Sequence, residues 1–258
     1  MSTITAMVGG GNWSSPGTWS GGVVPTAADD VILANVSGNV TIDVNAVCRS
    51  LDCQASGNYA GTLTLATVSL SIGTTTAAPS SRALRLSNAM TLTPGASTIQ
   101  TLSTYAGVQT VDFAGKTVNN FAVWNGTGST AQLASSVTAS ALVVLGSGTL
   151  DTNGQAVQCA SFASSNSNTR TLTLGSSTIT CTGTDTTAWN CATPTNMTLN
   201  AGTSTIILSG SGAVMSPGAN LAYSTIRFSG PNQQTLNLQS ITVANLERIG
   251  TAAKSDSF

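Results

Sequence analysis

The chain has 258 residues, of which 41% are hydrophobic and only 7% charged, with eight Lys plus Arg against nine Asp plus Glu, a net charge of −1 and no histidine. Near-zero charge excludes the basic footprint of a DNA, RNA or anionic-membrane binder, and a single glutamate without histidine removes most acid–base groups that enzymes use. The apolar fraction is that of a chain that buries a core, so the exposed surface is left to Ser, Thr, Asn and Gly.

The N-terminal residues MSTITAMVGGGNW contain neither a basic region nor a long apolar stretch, and no run of about 18 apolar residues follows, so no export signal or membrane span is expected. Residues 1–38 are read as a cap. The segment GNWSSPGTWSGGVVPTAADDVIL holds Trp13, Trp19, Pro16 and Pro25, and its indoles are expected to seal the first turn of the fold. A ligand-stacking platform is the competing reading of the two tryptophans. Asp29 and Asp30 are the only adjacent acidic pair. A calcium site is conceivable there, but a turn carboxylate accepting backbone N–H bonds before Val31-Ile32-Leu33 is the simpler expectation. Gly9-Gly10-Gly11 lacks the Lys-Ser/Thr and the helix of a phosphate loop.

From residue 39 to 250 the sequence is a succession of short β-branched runs closed by Gly, Asn, Ser or Pro, the signature of strands. VTID (Val40 to Asp43), LTLATVSLSIG (Leu63 to Gly73), ALVVLG (Ala141 to Gly146), TIILSG (Thr205 to Gly210) and STIRFSG (Ser224 to Gly230) are examples, and no segment carries a capped 3.6-residue apolar period. Among them one nonapeptide recurs: TLTPGASTI from Thr91, TLTLGSSTI from Thr171 and TLNAGTSTI from Thr198. The copies start 80 and 27 residues apart, which a coil of about 25 residues fits. In such a coil Leu and Ile point inward, Thr and Ser outward, and the Gly turns a corner. With all coils in one phase, Leu92, Leu172 and Leu199 share one ladder, and Ile99, Ile179 and Ile206 another. The expected fold is all-β, a right-handed parallel β-helix. Paired antiparallel sandwiches are the alternative, disfavoured because Asn-Gly turns occur only at Asn125-Gly126 and Asn153-Gly154, and Asp-Gly is absent.

Cys48, Cys53, Cys159, Cys181 and Cys191 are an odd number without zinc spacing. They are expected to be mostly buried thiols, with Cys159 and Cys181 stacked on neighbouring coils, although a disulfide, Cys48 with Cys53 included, stays open. Asn-x-Ser/Thr sequons such as Asn12-Trp13-Ser14, Asn35-Val36-Ser37, Asn125-Gly126-Thr127 and Asn196-Met197-Thr198 are chance matches in such a composition. Paired carboxylates for glycan cleavage would require Asp43 with Asp52, or Asp112 with Asp151, to converge. Residues 251–258 form a tail. The end ERIGTAAKSDSF has no aromatic counterpart to the start, so a partner subunit or further chain is expected to cover it.

The phrase Trp19-x-Gly21-x-x-x-Pro25 followed by Asp29-Asp30-Val31-x-Leu33 resembles the opening of Gly/Ser/Thr-rich β-helical proteins, G8-like segments included, with Ala28-Asp29-Asp30 where those often have Gly-Asp. GTLDTNGQAVQC, RTLTLGSSTITCTG and MTLNAGTSTIILSG resemble repeat proteins of bacteriophages and environmental bacteria. The resemblance implies a non-enzymatic virion protein without cofactor or metal, displayed on the capsid or tail exterior as a decoration, cement or fibre protein. It also implies a homotrimer partnered by other virion proteins, not by nucleic acid or membrane. Trp13, Trp19, Pro25 and Phe258 are its candidate attachment residues. A bacterial adhesin or a tailspike-like, glycan-degrading β-helix is the alternative.

Overall fold

In a computed structural model that describes residues 2–73, 82–237 and 240–249, the chain is an all-β parallel β-helix. Among the described residues every pairing between strands is parallel, and the one antiparallel contact is an isolated bridge between Ala6 and Trp19. Consecutive passes of the chain therefore run the same way, which removes the sandwich alternative.

Strands stack on three faces around one core. The first face begins with Thr3–Thr5, Asp30–Ile32, Ser50–Asp52 and Arg82–Arg85, and continues through Gly107–Asp112 and Ser129–Leu133 to Met197–Asn200. The second is short, from Gly11–Asn12 through Val40–Ile42 and Thr62–Leu65 to Thr91–Thr93. The third starts at Ala46–Cys48 and ends at Thr242–Arg248. ALVVLG lies inside one 15-residue strand, Val137–Asp151, that passes from the third face onto the first. A turn there comes without a break because Gly148 takes φ +74 in mid-strand, a region open to glycine.

Register makes the core. One interior column on the third face runs Ala46, Leu70, Ile99, Phe121, Val143, Phe162, Trp189, Met215, Leu236. A second runs Val157, Ile179, Ile206, Ile226, Leu246. Each side chain rests on its counterpart about 4.8 Å away, so like shapes pack without gaps. Phe162 and Trp189 stack at 4.4 Å between ring centroids with planes 20° apart. Burying each large aliphatic member stabilises by roughly 1.5–3 kcal/mol. No coil buries its own apolar face alone, so the fold is held by neighbour-to-neighbour terms.

The single-phase expectation for the nonapeptides holds for two copies and fails for the third. Leu172 pairs with Leu199, and Ile179 with Ile206. Leu92 instead pairs with Leu63 on the second face, and Ile99 with Leu70 and Phe121 in the other third-face column. The 80-residue gap is thus not a whole number of coils. The motif encodes a strand–corner–strand, and any corner accepts it. Coil length varies as well: in-register steps along the first face are 20 residues from Val31 to Leu51, 33 from Leu51 to Leu84 and 22 from Leu150 to Leu172.

Within the motif Leu and Ile point inward as expected, but Ser97, Ser177 and Ser204 are buried, not outward. They fold into the corner: the N–H of Ser177 donates to Leu174 O at 2.9 Å and that of Ser204 to Ala201 O at 3.1 Å. The intervening Gly95, Gly175 and Gly202 all have φ between +53 and +57. Gly202 faces a second constraint, since a Cβ there would lie 2.3 Å from Gly175 O of the preceding coil. Gly115 shares a positive φ, +74, but meets open space. Gly115→Ala is therefore expected to cost about 1–2 kcal/mol, and Gly202→Ala at least twice as much, in chemical denaturation. Equal costs would contradict the stacked-corner geometry.

Candidate functional site

Segment 1–38 contributes to the parallel stack as well as covering it, because Thr3–Thr5 and Asp30–Ile32 are already rungs of the first face. Trp13 and Trp19 pack edge to face at 4.7 Å, and the Trp19 indole N–H donates to Trp13 O at 2.8 Å. Both are buried, at 1% and 2% exposure, and Pro25 is buried too. The attachment role expected of Trp13, Trp19 and Pro25 thus finds no exposed surface at these residues: the apolar rings are spent on sealing the first coil. Phe258 lies outside the described residues.

The tryptophan left exposed is Trp124, at 41%, against 0% for Trp189. Its indole lies over Gly146, where a Cβ would come within 2.2 Å of the ring. Nothing in the sequence around Trp124 marks it as exposed; the available signal is Gly146, the glycine one coil later.

Asp29 is the turn carboxylate that the sequence predicts, whereas Asp30 already belongs to the strand. Asp29 accepts from the N–H and hydroxyl of Thr26, at 3.0 and 2.6 Å. Burial alone raises its pKa, but these bonds outweigh it and hold the carboxyl below the ordinary range. Asp30, on the strand, takes Arg49 and the Ser50 hydroxyl. Asp43 likewise: burial pushes its carboxyl up, the Ser14 hydroxyl and N–H pull it further down. Asp52 is clamped by Arg85 through two 2.8 Å bonds.

The carboxylate pairs do not converge. Asp43 follows a second-face strand, whereas Asp52 ends a first-face one. Asp112 and Asp151 share the first face but are separated by strand Ser129–Leu133, and Asp151 is bonded to Gln132 at 2.8 Å. Among the described residues no cluster of three His, Cys, Asp or Glu could hold a metal. No described helix is long and apolar enough to cross a membrane.

All five cysteines are buried free thiols, with Cys159 in register with Cys181. Burial raises the pKa of Cys48, Cys53 and Cys191, the last to about 12, so these thiols stay protonated and unreactive. Arg170 is wholly buried, which its place in an otherwise polar stretch of sequence does not signal. Its guanidinium donates to Asn168 O at 3.0 Å and Thr193 O at 2.9 Å, pinning the loops of two adjacent coils to each other.

The charge that remains is concentrated on the first face. Asp30–Arg49 and Asp52–Arg85 are two of the three ion pairs among the described residues. Between and beyond them lie two polar grooves. One, of about 210 Å³, is bordered by Thr3, Asp30, Ser50 and Asp52. The other, of about 270 Å³, is bordered by Gln54, Arg82, Arg85, Thr110, Asp112 and Ala134. No family model, curated protein or solved structure matches this chain.

Because Trp124 alone among the four tryptophans is exposed, acrylamide should quench one component of the native fluorescence, and Trp124→Phe should abolish that component. Quenching that survives in Trp124→Phe would contradict the burial of Trp13, Trp19 and Trp189.

Proposed function

We propose that the chain is a non-catalytic structural component of a bacteriophage particle, a stiff rod displayed on the capsid or tail exterior as a decoration, cement or fibre protein and assembling as a homotrimer. One observation carries this reading. Apart from Asp185, every described carboxylate is committed to a bond that ties one coil, or one turn, together: Asp29 with Thr26, Asp30 with Arg49, Asp43 with Ser14, Asp52 with Arg85, Asp112 with the Ala114 N–H, Asp151 with Gln132 and Glu247 with Arg227. Charge in this chain serves cohesion between rungs, which suits a part whose task is to stay folded at a particle surface.

Attachment is assigned to the end carrying Thr242–Arg248. That strand pairs with Ala222–Phe228 on one side and with no described strand on the other. Leu246 continues the Ile179–Ile206–Ile226 column yet is 48% exposed, and Ile249 is 52% exposed. Among the described residues this edge is unpaired, and an edge with exposed apolar residues is a surface that a neighbouring virion protein can complete.

The test mixes the purified chain with phage particles assembled without it and follows co-sedimentation. The proposal expects saturable binding, weakened at least tenfold by Leu246→Asp with little change in melting temperature. A chain that stays in the supernatant would overturn it.

A further inference from the structure

In a regular strand residues three apart face opposite sides. Arg82 and Arg85 nonetheless both face outward, because Ala83 and Leu84 between them are both buried. Pairing with the next strand shows how: Thr110 lies opposite Arg82, Val111 opposite Leu84 and Asp112 opposite Arg85, so Ala83 is one extra residue, a β-bulge. Bulges re-aim side chains and gather beside functional sites. This one brings two of the chain's eight basic residues to a single groove. Arg85 is neutralised by Asp52. Arg82 is exposed and has no carboxylate partner among the described residues.

Acceptors border the same groove. Asp112 uses Oδ1 to hold the Ala114 N–H at 2.8 Å, which leaves Oδ2. Gln54 spends its amide N–H on Leu86 O, which leaves its carbonyl oxygen. We propose that this groove binds an acidic saccharide, with Arg82 taking a sugar carboxylate and Asp112 and Gln54 accepting bonds from its hydroxyls. A compact anion such as phosphate would meet the Asp112 carboxylate as well as Arg82. A uronic or sialic acid separates its charge from its hydroxyl donors, and so matches a groove lined by a cation and by separate acceptors. The second polar groove, past the Asp52–Arg85 pair, lies further along the same face, so an oligosaccharide can continue over neighbouring rungs.

This inference goes beyond the structural role, and its test uses the isolated full chain, so its outcome is separate from that of the particle experiment. Calorimetric titrations with oligomers of galacturonate, glucuronate and mannuronate, with sialyllactose and with neutral dextran should give saturable binding for at least one acidic sugar and none for dextran. Arg82→Ala should weaken that binding at least tenfold and Asp112→Asn at least threefold, whereas Lys116→Ala, a cation outside the groove, should leave it within twofold. Arg82 is exposed, and circular dichroism is expected to show Arg82→Ala folded. Absence of saturable binding by every acidic sugar, unchanged affinity in Arg82→Ala, or displacement by an equal concentration of inorganic phosphate would overturn the proposal.

Discussion

Everything in this molecule depends on in-register stacking of aliphatic and aromatic side chains from one coil to the next. A single coil has an apolar face and nothing to bury it against. Only when Ile179 sits on Val157 and beneath Ile206, and Phe162 on Val143 and beneath Trp189, is water excluded from both surfaces. Parallel hydrogen bonding fixes the rung spacing, the spacing fixes which residues meet, and a one-residue slip would turn a whole strand inside out. The bulge at Ala83 is the exception that illustrates the rule: its extra residue keeps Leu84 in the column between Leu51 and Val111 while releasing a second arginine to the surface.

Corners are where the constraint is tightest. Backbone passes directly over backbone, so the residues there are small and their conformations left-handed, as at Gly95, Gly175 and Gly202. Buried serines replace water as partners for the turning chain, and Arg170 does the same on a larger scale by binding carbonyl oxygens from two coils. The low charge of the sequence follows from this economy. Among the described residues nearly every ionised group has a partner within its own or the next coil, and the exposed remainder is hydroxyl and amide.

Much of this architecture was legible in the sequence. Short β-branched runs and the absence of helical period gave an all-β chain, and the recurring nonapeptide gave parallel stacking, with Leu172 over Leu199 and Cys159 against Cys181 as expected. What could not be read was phase. Leu92 and Leu172 occupy the same place in the motif but lie on different faces, because the motif specifies a corner and every coil has more than one. The groove was hidden for a related reason: Arg82 and Arg85 are three apart, and alternation puts them on opposite sides until the register shift is seen. The tryptophans show the limit of composition. Trp13 and Trp19 stand out in the sequence and are interior, whereas Trp124 does not stand out and is exposed.

The most direct measurement of the stacked register is cross-linking of outward positions. With the five native cysteines replaced by serine or alanine, T171C paired with T198C places two thiols on adjacent rungs in register, at a Cα separation of about 5 Å that a disulfide spans. T62C with T91C does the same on the second face. The account predicts rapid disulfide formation under mild oxidant for both pairs, and none for T91C with T171C, although those two residues begin identical tripeptides. Cross-linking of T91C to T171C, or its failure between T171C and T198C, would contradict it.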